Sequence, residues 1–564
     1  MNREDAQDAK TGIRRWVPIA AIIAAMIALR VALLAAEAVP FNGDEAIVAL
    51  MARHIGQGER PAFFYGQAYL GSTDAWLVSV AFSIFGESVS SIRLVQIALF
   101  AGTLITTYLV ARRFGLDEQA AQLSTLLTAL PPTLLTLYTT ATLGGYGETL
   151  LFGNLLILGA LSLGANRSED QPQRHEGTKK RLRKPRDFVP SWLRERAVVL
   201  RWGLFGLLAG FAFWTFGLIL VYLIPLAVWL TWRHRLRAWR GYAVAALGFA
   251  IGSAPWWASI AQLGGSLIGE LTGSAIANTV AAPTSLGSLG VRLANFFVFG
   301  LSAWLGLRYP WSPEFVLPPV GIAVAAIYVG AFAFAIWRGP RLAWGMVGTL
   351  LLTYLLTPFG GDPSGRYFLP LHLPLSIFTA MFVASMRHAL GSRLARRAVG
   401  GLVSLLVALI IGYNVAGSLL AAAQQPPGIT TQFDEVTWID RRRDRELIEF
   451  LLAHGETRGY TNYWVAYPIA FLSGERIVSA ARLPYHIDFR YTRRDDRYLP
   501  YAQRVDEAPR AFYVTTNHPA LDALIRERLT GLGVTFKEET IGSYHIFYDL
   551  PRKVEPGELG IEAT

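Results

Sequence analysis

Two adjacent carboxylates follow the first long apolar run of the sequence. In the stretch VPFNGDEAIVALMARHIG they are Asp44 and Glu45. A carboxylate at a boundary between lipid and water can take a proton from an acceptor hydroxyl or amine. The same residues would also suit a plain helix start, because Asn42 or Gly43 can cap a helix and acidic residues in its first turn complement the helix dipole. The local pattern leaves both interpretations open.

Two further stretches place chemically useful residues beside apolar runs. In LGGYGETLLFGN, Tyr146 and Glu148 stand next to three glycines, which let the backbone come close to a ligand. In GGDPSGRYFLP, Arg366 could bind a phosphate with two hydrogen bonds, and Tyr367 is beside it. Each stretch has a structural alternative: a flexible turn before an acidic helix start for the first, and an interfacial membrane anchor for the second.

The composition indicates a membrane protein that crosses the bilayer several times. Of 564 residues, 52% are hydrophobic and only 16% are charged, and several apolar runs reach the ~20 residues that a spanning helix needs. The net charge of +11 does not indicate nucleic acid, because Lys and Arg lie in short blocks between the apolar runs, as in cytoplasmic loops. The chain contains no cysteine, which excludes disulfides and thiolate metal sites.

The alternation of apolar runs and basic blocks predicts eleven spans, with a cytoplasmic N-terminal tail (1–15) and an outside C-terminus. The predicted transmembrane region covers 16–422, with an external loop at 39–88 and a basic cytoplasmic loop at 166–201. Short surface helices are expected at 44–56 and 74–85, and a re-entrant helix around 293–307. The spans are predicted at 16–38, 90–111, 118–138, 149–165, a pair joined near Thr215 and Phe216, 241–260, 315–337, 342–358, 367–386 and 398–422.

After QQPPG the composition becomes polar and predicts an extracytoplasmic soluble α/β domain over 423–564. The expected elements are helices at 443–454 and 518–530, strands at 458–461 and 511–515, and a β-hairpin within 533–549. The predicted fold class is therefore an all-α polytopic membrane bundle that carries a small C-terminal α/β domain.

The three motifs, in this order and on this topology, resemble the GT-C superfamily of integral-membrane glycosyltransferases. The likeness is to its bacterial protein O-mannosyltransferase-like and aminoarabinose-transferase-like enzymes, of glycosyltransferase family 39 type. It is carried by GDEA at 43–46, by RPAFFYGQAYLGSTDAWLVSVAFSIFGESVSSIRL at 60–94, by GGYGE and GRYFLP, and more loosely by NYWVAYPIAFLSGERIVSA. One departure is QAYLGSTDAW, where many relatives have a Pro-Pro-Leu-like stretch.

This resemblance implies transfer of a sugar from a polyprenyl-phosphate donor to an acceptor at the outer face of the cytoplasmic membrane, with inversion. By position in the motifs, Asp44 corresponds to the catalytic base with Glu45 alongside, and Glu148 helps to shape the site. The counterparts of the residues near the donor phosphate are Arg366 and Tyr367.

The candidate substrate-binding residues are Tyr65 and Gln67 in the first external loop and Tyr146 in the second. The expected partners are the lipid-linked donor, membrane lipids, and an acceptor that is a glycan, a lipid or a protein, with no nucleic acid. No cofactor is indicated with certainty. A divalent metal on Asp44, Glu45 and Glu148 is compatible with their oxygen ligands, which alone do not identify a metal.

Two other classes of protein fit part of the pattern. A lipid or glycolipid transporter or flippase would account for many spans, but not for an external acidic pair together with a large outside domain. A non-catalytic scaffold would use that domain to bind partners. Loss of sugar transfer on replacing Asp44 would distinguish a transferase from both.

Overall fold

The helical part of the chain forms a bundle that confirms the predicted polytopic architecture. The computed structural model describes residues 3–164, 191–263, 287–388, 393–489 and 491–563, so most of the predicted basic loop lies outside the described residues. The helices before residue 424 are α1 Arg3–Ala35, α2 Gly43–Gly56, α3 Thr73–Phe85, α4 Val89–Arg113, α5 Glu118–Ala129, α6 Thr133–Tyr138, α7 Tyr146–Gly164, α8 Ser191–Thr215, α9 Leu220–His234, α10 Trp239–Gly252, α11 Ala254–Leu263, α12 Gly287–Ala294, α13 Leu301–Trp304, α14 Pro318–Arg338, α15 Arg341–Leu356, α16 His372–His388 and α17 Arg393–Ala423.

Within the described ranges, eight helical segments are long and apolar enough to cross a membrane. The three other predicted spans appear in shorter or broken form. Two of these are α15, which has only 16 residues, and the pair α10 and α11, which bends by 66°. The third is interrupted between α5 and α6, where the prolines Pro131 and Pro132 cannot donate backbone hydrogen bonds.

This break shapes the part of the molecule that matters for function. After it, α6 ends at Tyr138, and the chain turns through two glycines with positive φ, Gly144 (88°) and Gly145 (80°), before α7 begins at Tyr146. Glycine adopts this backbone conformation without the steric cost that other residues meet. The two tyrosines consequently come together, with ring centroids 4.7 Å apart.

The predicted external loop forms its two expected helices, α2 and α3, with a small hairpin between them. Strands β1 Phe63–Phe64 and β2 Gln67–Gly71 pair antiparallel. Helix α2 begins where Asn42 accepts a hydrogen bond from the backbone N–H of Glu45 at 3.0 Å, which is ordinary N-cap geometry. The capping interpretation of the acidic pair is therefore correct as a description of its local structure.

The C-terminal α/β domain is built on a five-stranded mixed sheet of strand order β4-β3-β5-β7-β6. Strand β3 runs parallel to β4 and β5, while β7 runs antiparallel to β5 and β6. The elements are α18 Asp444–Ala453, β3 Arg458–Thr461, α19 Tyr463–Leu472, β4 Val478–Ala481, α20 Leu499–Asp506, β5 Phe512–Thr516, α21 Pro519–Gly531, β6 Lys537–Ile541 and β7 Tyr544–Tyr548. The predicted helices, strands and hairpin are all present, but α19, β4 and α20 were not predicted.

Helix α19 joins the C-terminal domain to the helical bundle. It packs on α2, and Phe471 at its end lies against Phe41 and Phe82, with ring centroids 5.7 and 6.0 Å apart. Burying three aromatic rings at one contact gives a substantial apolar interface. The start of α19 is thereby held directly over the start of α2, where Asp44 lies.

Candidate active site

Asp44 is the point at which the two parts of the chain meet. The hydroxyl of Tyr463, the first residue of α19, donates a hydrogen bond to Asp44 Oδ1. The ring can come this close because residue 43 is glycine: a Cβ there would lie 2.7 Å from Tyr463 Cε1. Asp44 also lines a cavity of about 220 Å³ that lies between the bundle and the C-terminal domain.

Glu45, the other half of the acidic pair, has a different environment. It is fully buried, and its two carboxylate oxygens accept hydrogen bonds from Arg93 of α4, each 3.0 Å long. This two-pronged geometry is the strong form of the arginine–carboxylate pair. Glu45 therefore links α2 to α4, and the structure does not bring it to the cavity together with Asp44.

Arg366 lies at the same cavity as Asp44, as do Tyr138 and Tyr146. It begins the 3₁₀ turn Arg366–Leu371, directly after Gly365, whose φ of 81° favours glycine. Its guanidinium pairs with Asp362 at 2.6 Å, which leaves the local charge balanced. Within the described residues, its buried Nε has no hydrogen-bond partner, so one donor remains for a ligand.

Tyr367 faces an apolar groove instead of this cavity. The groove, of about 280 Å³, is lined mainly by apolar and aromatic side chains, including Tyr69, Phe216, Leu220 and Phe359. Tyr367 also accepts a hydrogen bond from Arg366 Nη2 at 3.3 Å, so the groove and the cavity meet at this residue pair. A polar cavity beside an apolar groove suits a ligand with a charged head and a hydrocarbon tail.

Glu148 lies behind the cavity, not on its surface. It is fully buried, accepts a long hydrogen bond from Gln96 (3.4 Å) and interacts with Asp74, the second residue of α3. Burial raises the pKa of Asp74 to about 7. Asp74 and Glu148 thus form a buried acidic pair behind the cavity.

The three carboxylates proposed as metal ligands are not brought together. Glu45 is bound by Arg93, Glu148 lies beside Asp74, and Asp44 contacts Tyr463. Across the residues that the structure describes, no group of three or more His, Cys, Asp or Glu is arranged to hold a metal ion.

The predicted substrate-binding residues Tyr65 and Gln67 contact the C-terminal domain. Tyr65 stacks on Tyr498 with ring centroids 4.5 Å apart and donates a 2.6 Å hydrogen bond to Glu59. Gln67, with its amide oriented to suit its neighbours, accepts two hydrogen bonds from Arg497, of 3.0 and 2.9 Å. Of the three predicted residues, only Tyr146 lines the cavity.

A cluster next to this contact, made of Arg53, His54 and Glu475, strengthens the same junction. Glu475 accepts hydrogen bonds from Arg53 (3.3 Å) and from His54 (3.2 Å). Burial alone would raise the pKa of Glu475, but the hydrogen bonds from His54 and Arg53 outweigh it and hold the pKa at about 2. The carboxylate is thus charged at any pH near neutral.

The part of the site that sequence reasoning missed is the wall supplied by the C-terminal domain. Its members, which include several aromatic and polar side chains, are Thr431, Gln432, Phe433, Asp434, Thr437, Trp464, Tyr485 and His486. They come from three separate segments of the chain, and only Trp464 falls within a motif that the resemblance singled out. Sequence spacing carries no signal that would unite them.

Comparison with known proteins finds relatives by structure and not by sequence. No family model matches the sequence, and no curated protein matches it. ArnT from Cupriavidus metallidurans, solved bound to undecaprenyl phosphate, is similar to this chain with a TM-score of 0.56 and 13% identity over 94% of this chain and 97% of ArnT. Apo ArnT gives a TM-score of 0.55 and 12% identity over 96% and 98%.

The oligosaccharyltransferase of Archaeoglobus fulgidus in its apo form is also similar, at 13% identity over 89% of this chain and 69% of that enzyme, with a TM-score of 0.49. The likeness to ArnT extends over almost the whole of both chains. The chain therefore has the fold of ArnT, which is a GT-C membrane glycosyltransferase.

Proposed function

We propose that this protein transfers a sugar from a polyprenyl-phosphate donor to an acceptor hydroxyl. In the reaction the acceptor oxygen bonds to the anomeric carbon, the bond from that carbon to the phosphate oxygen breaks, and the acceptor proton goes to Asp44. A single displacement of this kind inverts the anomeric centre. The observation that carries the proposal is one cavity that contains both Asp44 and Arg366 and adjoins an apolar groove.

Asp44 suits the role of general base. Tyr463 holds its Oδ1, and Oδ2 is the atom that would receive the proton. Its neighbour Glu45 is engaged by Arg93, so it would act by anchoring α2 and not by exchanging protons with a substrate. A positioned base of this type contributes about 10²–10⁴-fold to a reaction rate.

Arg366 suits the leaving phosphate. The phosphate gains negative charge as the sugar departs, and a guanidinium in a partly enclosed site stabilises that charge. Tyr138, which lines the cavity beside Arg366, would help to orient it. The groove beside Tyr367 would take the first isoprene units of the carrier.

The same arrangement supports an outward-facing site. Basic residues cluster at the ends of α4 (Arg112 and Arg113) and α9 (Arg233 and His234), where the sequence predicts cytoplasmic loops. The cavity lies against the domain that follows α17, the last helix of the bundle. We place that domain and the reaction at the outer face of the cytoplasmic membrane.

The test compares Asp44→Asn with Glu507→Gln, a matched acid-to-amide change at an exposed position of the C-terminal domain. A deletion strain is complemented with each variant, envelope glycans are weighed by mass spectrometry, and undecaprenyl phosphate binding is measured on the purified proteins. Asp44→Asn should reproduce the glycan masses of the deletion and still bind undecaprenyl phosphate. Glu507→Gln should restore the wild-type masses.

Normal glycan masses with Asp44→Asn would show that Asp44 is not the base. Failure of the wild-type protein to bind undecaprenyl phosphate would remove the donor assignment altogether. Movement of labelled polyprenyl lipid across vesicles in the absence of any acceptor would instead support a flippase.

A further inference from the structure

The wall that the C-terminal domain contributes to the cavity has a composition of its own. Three aromatic side chains meet there: Phe433, which is 53% exposed at the cavity, and the half-buried Trp464 and Tyr485. Trp464 and Tyr485 stand almost perpendicular, at 89°, with ring centroids 6.4 Å apart. Such a corner offers π faces in two directions to a ligand.

The polar groups of this wall are fixed in place. Asp434 Oδ1 accepts a hydrogen bond from the backbone N–H of Val436 at 3.0 Å, and its Oδ2 lies 3.2 Å from His486 Nδ1. The backbone carbonyl of His486 is in turn 3.1 Å from His518 Nε2. Asp434 and His486 are therefore presented to the cavity in one arrangement.

The charges around the cavity disfavour an anionic acceptor. Among the described lining residues Arg366 is the only Lys or Arg, and it is already paired with Asp362. If it also holds the donor phosphate, no Lys or Arg among the described lining residues is left over for a second anionic group. Asp44 and Asp434 add negative charge on the side that an acceptor would enter.

We propose that this wall is the acceptor subsite and that it takes a neutral pyranose unit of a glycan. The C–H groups on one face of a pyranose carry partial positive charge and pack on aromatic π faces. Its hydroxyls, which both donate and accept, match Asp434, His486 and Gln432. The proposal rests on the proposed function, because it takes Asp44 as the base that the acceptor hydroxyl must reach.

The side of approach follows from Asp44 itself. Its Oδ1 is held by Tyr463, and the next residue along α19 is Trp464 of the wall. An acceptor on this wall would present its hydroxyl to Asp44, while the donor phosphate and lipid lie towards Arg366 and the groove beside Tyr367. The two substrates would then occupy opposite sides of the cavity, as a single displacement requires.

Saturation-transfer NMR on the full-length protein in nanodiscs tests this subsite. The probes are methyl α-D-mannopyranoside, methyl α-D-glucopyranoside and methyl α-D-galactopyranoside, with glucose 6-phosphate and a Ser/Thr peptide for comparison. Undecaprenyl phosphate binding is measured in parallel to report on the donor side. At least one neutral glycoside should give ring-proton signals, and both comparison ligands should give signals at least fivefold weaker.

Two variants locate the binding. His486→Ala and Tyr485→Leu should each reduce the glycoside signal at least fivefold and leave undecaprenyl phosphate binding within twofold of wild type. His454→Ala, at an exposed position that packs on Phe450 and Tyr548, is the matched control and should leave both signals intact. Retention of undecaprenyl phosphate binding also shows that the variants are folded.

Several results would overturn the proposal. No signal from any neutral glycoside, an unchanged signal in both variants, or equally strong binding of glucose 6-phosphate or the peptide would each do so. Displacement of the glycoside by undecaprenyl phosphate mannose, but not by undecaprenyl phosphate, would assign the wall to the donor's own sugar. If undecaprenyl phosphate itself does not bind, the proposed function fails independently of the subsite.

Discussion

The two walls of the cavity are built by different means. The wall from the bundle holds its reactive groups at the ends of helices and in tight turns: Asp44 in the first turn of α2, Tyr146 at the start of α7, and Arg366 after a glycine with positive φ. The wall from the C-terminal domain is aromatic and polar, and it comes from segments that are distant in sequence.

Under the proposed function, chemistry and recognition are divided between the two walls. Groups that move a proton or stabilise charge need fixed positions, and buried ion pairs behind the bundle wall supply them, as Arg93 does for α2. Groups that select an acceptor need surface and shape, and the proposed function assigns that part to the C-terminal domain. Changes behind the bundle wall should therefore cost stability, whereas changes on the cavity surface should cost activity.

The largest effect should come from breaking the ion pair behind the bundle wall. Arg93→Met leaves the fully buried Glu45 without its partner, and an uncompensated buried charge costs about 3–5 kcal/mol of folding free energy. Thermal unfolding in detergent should show a correspondingly large drop in Tm. Adding Glu45→Gln should recover part of that loss, because the unpaired charge is removed.

The matched control is an exposed pair in the C-terminal domain. Arg526→Met breaks the contact with Glu538, where the arginine side chain is 45% exposed, and such pairs contribute about 0.2–1 kcal/mol. Equal losses of Tm for Arg93→Met and Arg526→Met would show that the buried ion pair behind the bundle wall stabilises the fold no more than an exposed pair does.

The second effect concerns the donor side. Arg366→Lys keeps a positive charge beside Asp362 but loses the planar guanidinium, which can donate two hydrogen bonds to one phosphate. Transfer from the lipid-linked donor should fall about 10²-fold, or ~2.7 kcal/mol, and undecaprenyl phosphate should bind more weakly.

Arg341→Lys is the control for this change, because Arg341 begins α15 and lies over Trp232, away from the cavity. Unchanged transfer with Arg366→Lys would show that a point charge suffices and that two-pronged contact plays no part.

The sequence predicted best those helices that follow directly from the order of apolar, basic and capping residues along the chain. Apolar runs and basic blocks predicted the helical bundle. Asn42 and the acidic residues after it predicted the start of α2. Asp44, Tyr146 and Arg366, which the predicted topology and the motif resemblance place on one side of the membrane, line one cavity in the structure. The fold prediction is confirmed.

What the sequence could not supply depends on contacts between distant segments. Nothing in the spacing of Glu45 and Arg93 distinguishes a sealed ion pair from an open reactive carboxylate, because the pairing arises when α2 packs near α4. Tyr65 and Gln67 have side chains suited to sugar binding, yet Tyr498 and Arg497 of the other domain engage them. Contacts with residues distant in sequence therefore decide whether such a side chain is available to a ligand.

The third prediction tests how the C-terminal domain acts on the base. Tyr463→Phe keeps the ring under Arg497 but removes the hydroxyl that donates to Asp44. The transfer rate should fall about tenfold, or ~1.4 kcal/mol, the value of one hydrogen bond to a charged group. Tyr460→Phe, in the core of the same domain, is the control and should leave the transfer rate unchanged.

The smallest effect belongs to the junction between the domains. The pKa of Glu475 lies near 2 when the domains are docked, below the ordinary value of 4.5. A carboxyl whose pKa is depressed by folding adds stability above pH 4.5, and that stability is lost as the pH falls towards 2. Because Glu475 is partly solvated, its contribution should stay below about 1 kcal/mol. Tm measured from pH 6 to pH 3 should therefore fall less steeply for Glu475→Gln than for wild type, with Glu507→Gln as the exposed control. Parallel curves of Tm against pH for all three proteins would show that the charge of Glu475 does not stabilise the contact between the domains.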